Sequence, residues 1–349
     1  PGTLPRAHAV AVRRAIALGL ALQSKINPVS IFERKHYFYC DLPHGFQITQ
    51  HRHPIASGGT LKVMAPHLDS FKQSDGILSL DVTRIQLEID SGKTDHDMHP
   101  TQSLVDLNRA GVALLEVVFE PGLSSGEEAA AAVRELQRLV RVLGVSEANL
   151  EEGHVRADLN VSVRREGRPG LGERAEVKNV NSLRALARAA DHEARRQVAI
   201  LEAGGTVERE TRGFNAVDGT TFRLRGKEGL VDYRFLPEPD LPPLAAPPAL
   251  VQEVRRGLPS PLPHERYARL LALGGGAAGA EEGRLAPADA YALVAAPGAA
   301  DYFEKLVLDP RTGQPQRHPK VALNWMLNPL AGLLSRSAAG GRTEGGGGG

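Results

Sequence analysis

The chain has 349 residues, 42% of them hydrophobic and 24% charged, which is enough apolar content for a sizeable core and enough length for two domains. A formal net charge of +1 excludes a global field attracting nucleic acid or an anionic membrane, so any RNA contact has to come from local patches. The single cysteine, Cys40, excludes an intrachain disulfide, and no apolar run approaches the ~18 residues of a membrane span.

The chain starts at Pro1 without a Met, so the lack of a targeting segment carries no information. Residues 7–24 read as a helix. They are followed by ERKHYFYCDLPHGFQITQ, which is aromatic-dense for a chain that is 5% aromatic. In DVTRIQLEID, Ile85, Leu87 and Ile89 alternate with Arg84, Gln86, Glu88 and Asp90, the period of a half-buried strand. GVALLEVVFE reads as a short strand apolar on nearly both faces. SSGEEAAAAVRELQRLVRVLGV has Ser125 as a cap, acids in its first turn, a stripe of Val133, Leu136, Val140 and Leu143, and Gly144 as a stop. HVRADLNVSVRR alternates as a strand, with His154, Arg156, Asp158, Asn160, Ser162 and Arg164 on its polar side. A helix from Leu183 to Glu202 follows, capped by Ser182 and ended by Gly204-Gly205. This irregular alternation favours an α+β fold over a doubly wound sheet. Nine prolines between Pro237 and Pro263 suggest a linker or an extended wrapping segment. HERYARLLALGG begins a smaller helical region, GGGAAGAEEG reads as low-complexity loop, and the tail GGRTEGGGGG as disordered.

Glu116 lies between Leu114-Leu115 and Val117-Val118. If the strand is buried, its carboxylate needs a basic side chain or a metal ion; if the strand is an edge, it is an ordinary exposed acid. Glu88 and Asp90 repeat the theme, as does Asp158 between Arg156 and Asn160. Oxygen donors on separate strands suit Mg²⁺ better than zinc, although a polar strand face is commonly just solvated. Lys35, Lys178 and Arg234 supply the matching positive charge. His51, His53, His96 and His99 lack zinc spacing and read as surface or loop residues, and Cys40 has no catalytic His partner.

Seven blocks carry a family resemblance: PGTLP, ERKHYFYCDLPHGFQITQ, LEIDSGK, SLVDLNRAGVALLEVVFEP, LEEGHVRADLNVSV, AEVKNVNS and KEGLVDYRFLPEPDLPPL. In this order they resemble the GatB subunits of aspartyl/glutamyl-tRNA amidotransferases, over some two thirds of the chain, and IQLEIDSGK looks like the animal mitochondrial branch. The resemblance implies a glutamine synthetase-like cradle over 1–244, a proline-rich linker over 245–263, a helical domain over 264–336 and a tail over 337–349. It implies ATP- and Mg²⁺-dependent phosphorylation of glutamate misacylated on glutamine tRNA, then amidation by ammonia from a separate amidase subunit (GatA), with a small subunit (GatC) strapping GatA to GatB. The compartment implied is the mitochondrial matrix. By motif, Glu88 and Glu116 fall near the metal, Lys35 and Asp158 are catalytic, and Tyr37, Tyr39, Arg156, Asn160, Lys178 and Arg234 contact substrate or nucleotide. Phe38 either joins Tyr37 and Tyr39 in framing the pocket or packs.

Two departures stand out. The family's G-L-E-V-H strand, which carries metal-site residues, lies before this chain's first residue, and Ile89 stands where the family often has a second acid. The family's C-terminal tRNA-gripping domain is not recognisable. A second reading is therefore a non-catalytic tRNA-binding or assembly subunit, with Arg134, Arg138 and Arg141 at helical spacing for phosphates or simply solvated. A free-standing glutamine synthetase-like enzyme is a weak third, since it explains neither the ammonia source nor the tRNA-type blocks.

Overall fold

A computed structural model describes residues 3–95, 98–99, 101–225, 233–273 and 284–330. The strands are β1 (Lys25–Ile26), β2 (Val29–Ser30), β3 (Glu33–His36), β4 (Phe46–Thr49), β5 (Ala56–Ser57), β6 (Thr60–Met64), β7 (Ile77–Ile89), β8 (Lys93–Asp95), β9 (Leu104–Asp106), β10 (Ala113–Phe119), β11 (Leu159–Val161), β12 (Ala175–Lys178), β13 (Glu210–Asn215), β14 (Thr220–Arg225), β15 (Leu236–Pro237) and β16 (Leu244–Ala245). The helices are α1 (Ala9–Ala21), α2 (Gly126–Val142), α3 (Leu183–Glu202), α4 (Pro248–Arg256), α5 (Pro263–Ala272), α6 (Pro287–Ala295), α7 (Ala299–Val307) and α8 (Pro319–Trp325). The α+β class expected from the sequence is the one found. The described residues within 1–63 and 78–260 form one compact unit, and those within 64–77 and 261–330 another.

In the first unit, β1-β5-β7-β10 form the spine of a five-stranded sheet, with β6 also on β7. A three-stranded sheet, β15-β3-β4, is built from sequence-distant pieces. The alternation expected in DVTRIQLEID is present, with Ile85 and Leu87 buried, but its polar side is not solvated: Gln86 and Glu88 are buried as well. They lie beneath Gln47 and Thr49 of β4, which a reading confined to β7 has no means of supplying.

β11-β12-β13-β14 form a four-stranded sheet, with β12 and β13 parallel and the other pairs antiparallel. HVRADLNVSVRR keeps its alternating burial but is a ladder strand only over Leu159–Val161. It is the sheet edge, and its one partner, β12, has four residues. Helices α2 and α3 start where expected. Ser125 accepts from Glu128 N and Ser182 from Ala185 N, each cap stabilising by about 1 kcal/mol. The buried side of α2 differs from the expected stripe: Ala129–Ala132, Glu135, Leu139 and Val140 are buried, while Leu136 is only half-buried. Small residues let the helices approach closely, and a Cβ on Gly126 would overlap the Ala187 carbonyl of α3.

The proline-rich stretch is not a bare linker. β15 pairs with β3 and β16 with β2, and α4 carries an exposed Glu253 ion-paired to Arg13 of α1 at 2.9 Å. Pro237, Pro248 and Pro263 sit where the missing N–H is harmless, in the edge strand β15 and in the first turns of α4 and α5.

The second unit packs α5–α8 around Tyr267, Leu270, Leu293, Phe303, Val307 and Leu323, with Met64 in the same core. Tyr267 Oη donates to Asp75 O at 2.7 Å, which satisfies its buried hydroxyl and ties down the 64–77 segment. The expected boundaries had placed 64–77 with the first domain. GGGAAGAEEG and the 337–349 tail lie outside the described residues.

Candidate functional site

Alternate residues of β4, Gln47 and Thr49, turn onto Glu88 of β7. Thr49 Oγ1 donates to Glu88 Oε1 at 2.5 Å, and Gln47 Nε2 reaches Glu88 Oε2 at 3.3 Å and Ile89 O at 2.8 Å. Gln86, two residues earlier on the same face and opposite Glu116 in the β7–β10 register, bridges the two acids. Its amide nitrogen donates to Glu88 Oε1 at 2.9 Å and to Glu116 Oε2 at 2.8 Å. Arg84 Nε donates to Gln86 Oε1 at 2.7 Å, which fixes the amide with its nitrogen toward the acids. Burial first, and then the negative charge of Glu116, push the Glu88 carboxyl up to about 7, despite donors from Thr49 and Gln86 and the nearby Lys35. Among the described residues neither acid forms an ion pair. Glu116 itself is exposed, because β10 is an edge of its sheet, which is the second of the two alternatives its apolar flanks left open.

Lys35 on β3 completes this wall. Its ammonium stands 4.7 Å from the ring centre of Tyr233 and 6.0 Å from that of Tyr37. Tyr37 and Tyr233 meet edge-on, Tyr233 meets Phe235 in the same way, and Phe235 stacks on His51 at 4.4 Å. Burial, helped by Asp41, Tyr233 and Glu88, raises the Tyr37 phenol above its ordinary range. His51 is exposed, as expected of a surface histidine, yet it stacks on Phe235, and burial and Arg84 lower its imidazole from the ordinary value. Tyr233 and Phe235 lead into β15, which Arg34 clamps to β3 through Glu238, at 2.9 and 3.0 Å, and through Asp240 at 3.2 Å. Arg234 between them is exposed with φ 42°, and its carbonyl accepts from His36 Nδ1 at 2.9 Å. Phe38 is 89% exposed, so it does not pack, and Tyr39 is exposed too.

A second cluster lies on the four-stranded sheet. Lys178 Nζ is 3.1 Å from Asp158 Oδ2 and 3.3 Å from Glu176 Oε1. Burial would lower this ammonium's pKa, but Asp158 and Glu176 outweigh it and raise it. Asn160 is exposed and faces Glu176 in register. Arg156 connects the two clusters: its guanidinium donates to Asp90 Oδ2 at 2.8 Å, two residues after Glu88, and it stands two residues before Asp158.

The ten residues picked from the sequence thus fall into two groups joined by Arg156–Asp90. Sequence reasoning missed Thr49, Gln47, Gln86, Tyr233, Phe235 and His51. The Tyr-x-Phe pair ahead of the proline run, and Gln86 sharing Glu88's strand face, were the available signals. His53 and His99 are exposed as expected, and His96 lies outside the described residues. Two arginines of the α2 stripe are already engaged. Arg138 pairs with Glu135 at 2.5 Å, and Arg141 donates to Glu147 O, Ala148 O and Asn149 Oδ1. Glu147, Glu152 and His154 bring ligand atoms within 4.8 Å, but all three are exposed and nothing else at that surface points to an ion.

Among the described residues, no helix is long and apolar enough to cross a membrane. The sequence profile of the GatB/GatE catalytic domain matches residues 1–252. The chain is 44% identical to the mitochondrial glutamyl-tRNA(Gln) amidotransferase B subunit of Phytophthora infestans, covering 96% of this chain and 66% of that protein. It is 45% identical to the protein of the same name from Danio rerio, covering 96% and 60%. It is likewise 45% identical to the aspartyl/glutamyl-tRNA(Asn/Gln) amidotransferase B subunit of Mesorhizobium japonicum, covering 96% and 63%. It spans slightly under two thirds of the length of these curated relatives, and it is as similar to the bacterial one as to the mitochondrial ones. With that profile over most of its length, and with the β3–β4–β7 wall assembled from the blocks that carry the resemblance, the chain belongs to the GatB/GatE catalytic-domain family.

Proposed function

We propose that this chain is the catalytic part of the GatB subunit of a tRNA-dependent amidotransferase, which converts glutamate misacylated on glutamine tRNA into glutamine. A carboxylate oxygen of the glutamyl group attacks the γ-phosphorus of ATP and ADP leaves. Ammonia then attacks the acyl carbon, phosphate leaves, and one proton is released as the amide forms. Phosphoryl transfer of this kind is governed by positioning and charge neutralisation. Lys35, steered by Tyr233 and Tyr37, binds an anionic phosphate or the substrate carboxylate. Lys178 does the same at the second cluster with Arg156 and Asn160, and Asp158 orients Lys178 and takes the proton that ammonia gives up. Tyr39 and Arg234 flank the entrance to the tyrosine wall.

The single observation that carries this reading is the Glu88–Gln86–Glu116 bridge, in which two carboxylates share one amide donor and have no ion-pair partner among the described residues. An all-oxygen pair fits Mg²⁺, which is commonly held by one or two carboxylates together with substrate phosphates. Glu88 and Glu116 would hold it, and when bound it neutralises charge on the phosphoryl oxygens. The names of the relatives support glutamyl-tRNA(Gln) as substrate and an assembly with other subunits. We read these as the amidase subunit (GatA), which supplies ammonia, and the small subunit (GatC). The mitochondrial relatives support the mitochondrial matrix as the compartment.

The test is phosphate release from [γ-³²P]ATP by this chain purified with its amidase and small-subunit partners, given Mg²⁺, misacylated glutamyl-tRNA and ammonium chloride. Release that requires the tRNA and disappears with Asp158→Asn is expected. A stable complex that binds tRNA but releases no phosphate overturns the reading in favour of an assembly role.

A further inference from the structure

Arg84, Gln86 and Glu88 alternate along β7 and touch one another on a single face of the strand. The two hydrogens of the Gln86 amide go to two different acids. Its Nε2 stands 2.9 Å from Glu88 Oε1 and 2.8 Å from Glu116 Oε2, with Thr49 Oγ1 farther off at 3.3 Å. Glu88 Oε1 also accepts from Thr49 Oγ1 at 2.5 Å, so both of its lone pairs are taken. Each carboxylate therefore has one oxygen committed to donors of the chain itself. Left over are Glu88 Oε2, whose one donor is Gln47 Nε2 at 3.3 Å, and Glu116 Oε1, which has no hydrogen bond among the described residues.

That position 86 carries an amide is informative. A lysine or arginine there would cancel the negative charge that a cation requires, and a glutamate would add a third acid. Gln86 does neither. It ties the two acids together across β7 and β10, keeps their charge, and takes from each the second oxygen that bidentate ligation needs. Arg84 Nε, donating to Gln86 Oε1 at 2.7 Å, and the burial of Gln86 hold the amide in this orientation. Cations that prefer oxygen ligands differ in their use of that second oxygen. Ca²⁺ takes about six to eight ligands and accepts both oxygens of a carboxylate, whereas Mg²⁺ demands near-octahedral geometry, keeps several waters and needs only one or two carboxylates. Two acids offering one oxygen each suit the smaller ion and fall short for the larger.

We propose that Gln86 is the specificity-determining residue of this site: by occupying one oxygen of Glu88 and one of Glu116, it selects Mg²⁺ against Ca²⁺. This rests on the functional reading above, in which Glu88 and Glu116 hold the ion, and adds what chooses the ion.

The assembled amidotransferase containing this chain is titrated calorimetrically with magnesium chloride and, separately, with calcium chloride, each metal alone. Wild type, Gln86→Met, Thr49→Val and Glu88→Gln are compared, and the heat that Glu88→Gln abolishes is assigned to this site. Wild type is expected to bind Mg²⁺ more tightly than Ca²⁺. Gln86→Met keeps the side-chain length and loses both donors, and it is expected to narrow that preference by about tenfold or more, the scale on which residues that orient metal ligands act. Thr49→Val frees one lone pair of Glu88 Oε1 and is expected to narrow the preference in the same direction by less, which keeps the test alive if Gln86→Met does not fold. The ratio of the two affinities separates selection from a general loosening of the site, which would weaken both ions alike. An unchanged ratio in the folded variants, or a wild type that prefers Ca²⁺, overturns the inference, while loss of both ions in Glu88→Gln leaves the functional reading standing. A wild-type complex that binds neither ion, or a Glu88→Gln complex that binds both as before, overturns both.

Discussion

Glu193 of α3 and Glu88 of β7 are both buried, at 0% and 8% exposure, yet their surroundings differ in kind. Glu193 is enclosed by cations. Arg196 binds it at 2.7 and 2.9 Å, Arg212 reaches it at 3.1 Å, and Gln197 and Thr221 donate to it as well. Burial alone would raise this carboxyl, but the hydrogen bonds from Arg196 and Gln197 and the charge of Arg196 outweigh it and hold it below its ordinary range. Glu88 receives only neutral donors and faces a second acid, so burial dominates and its carboxyl rises to about 7. A carboxylate neutralised from within the chain braces the fold. One that has no ion-pair partner among the described residues can still take a cation that the chain does not supply.

The largest effect expected from this contrast is on stability. Glu193→Ala removes one of the two carboxylates that Arg196 and Arg212 share, leaving Glu210 at 3.0 and 2.6 Å, and urea denaturation should show a loss of about 2–3 kcal/mol. Because the folded pKa is depressed, wild type should keep this contribution above the ordinary glutamate range and lose it as pH falls through the lowered value. Glu88→Gln should behave in the opposite way. The fold persists, since an amide can still meet Thr49, while tRNA-dependent phosphate release drops by roughly a hundredfold. A Glu88→Gln chain that unfolds as readily as Glu193→Ala would break the comparison.

Glu135 of α2 sharpens it, because it is buried and ion-paired to Arg138 alone among the described residues. Burial outweighs Arg138 and Arg134 and lifts its carboxyl to about 7. The folded state then binds more protons than the unfolded one between about pH 4.5 and 7, so stability falls as pH rises through that window. Glu135→Gln should raise Tm by about 2–4 °C at pH 8, with the gain vanishing near pH 4.5, as read by thermal melts. Arg13→Ala, which breaks the exposed pair with Glu253, should leave Tm unchanged within error.

Much of the fold was legible because its signals are local. Ser125 and Ser182 cap helices whatever else the chain does, and the alternation of Ile85 and Leu87 marks a core-facing strand. What escaped was set by distant partners. Gln86 and Glu88 look like a solvated face until β4 is laid over them, and the choice between a buried and an exposed Glu116 is open until β10 proves to be an edge. The site divides along the same line. Lys35, Tyr37, Glu88, Asp158 and Lys178 stood out through residue type and the family blocks. Tyr233, Phe235 and His51 matter only because a strand some two hundred positions later returns to β3. The proline run read as irregular because prolines at helix starts and on edge strands look in sequence like prolines in loops.

That returning strand gives the protein a timetable. Arg34 and Glu238 are 204 positions apart, and ribosomes add about 5–20 residues per second. The hairpin bearing Lys35 therefore emerges about ten to forty seconds before the aromatic rings that steer its ammonium. Until then a nascent chain has its acids in place and its lysine unsteered, so a chain released before Phe235 would carry half a pocket on an otherwise well-formed sheet.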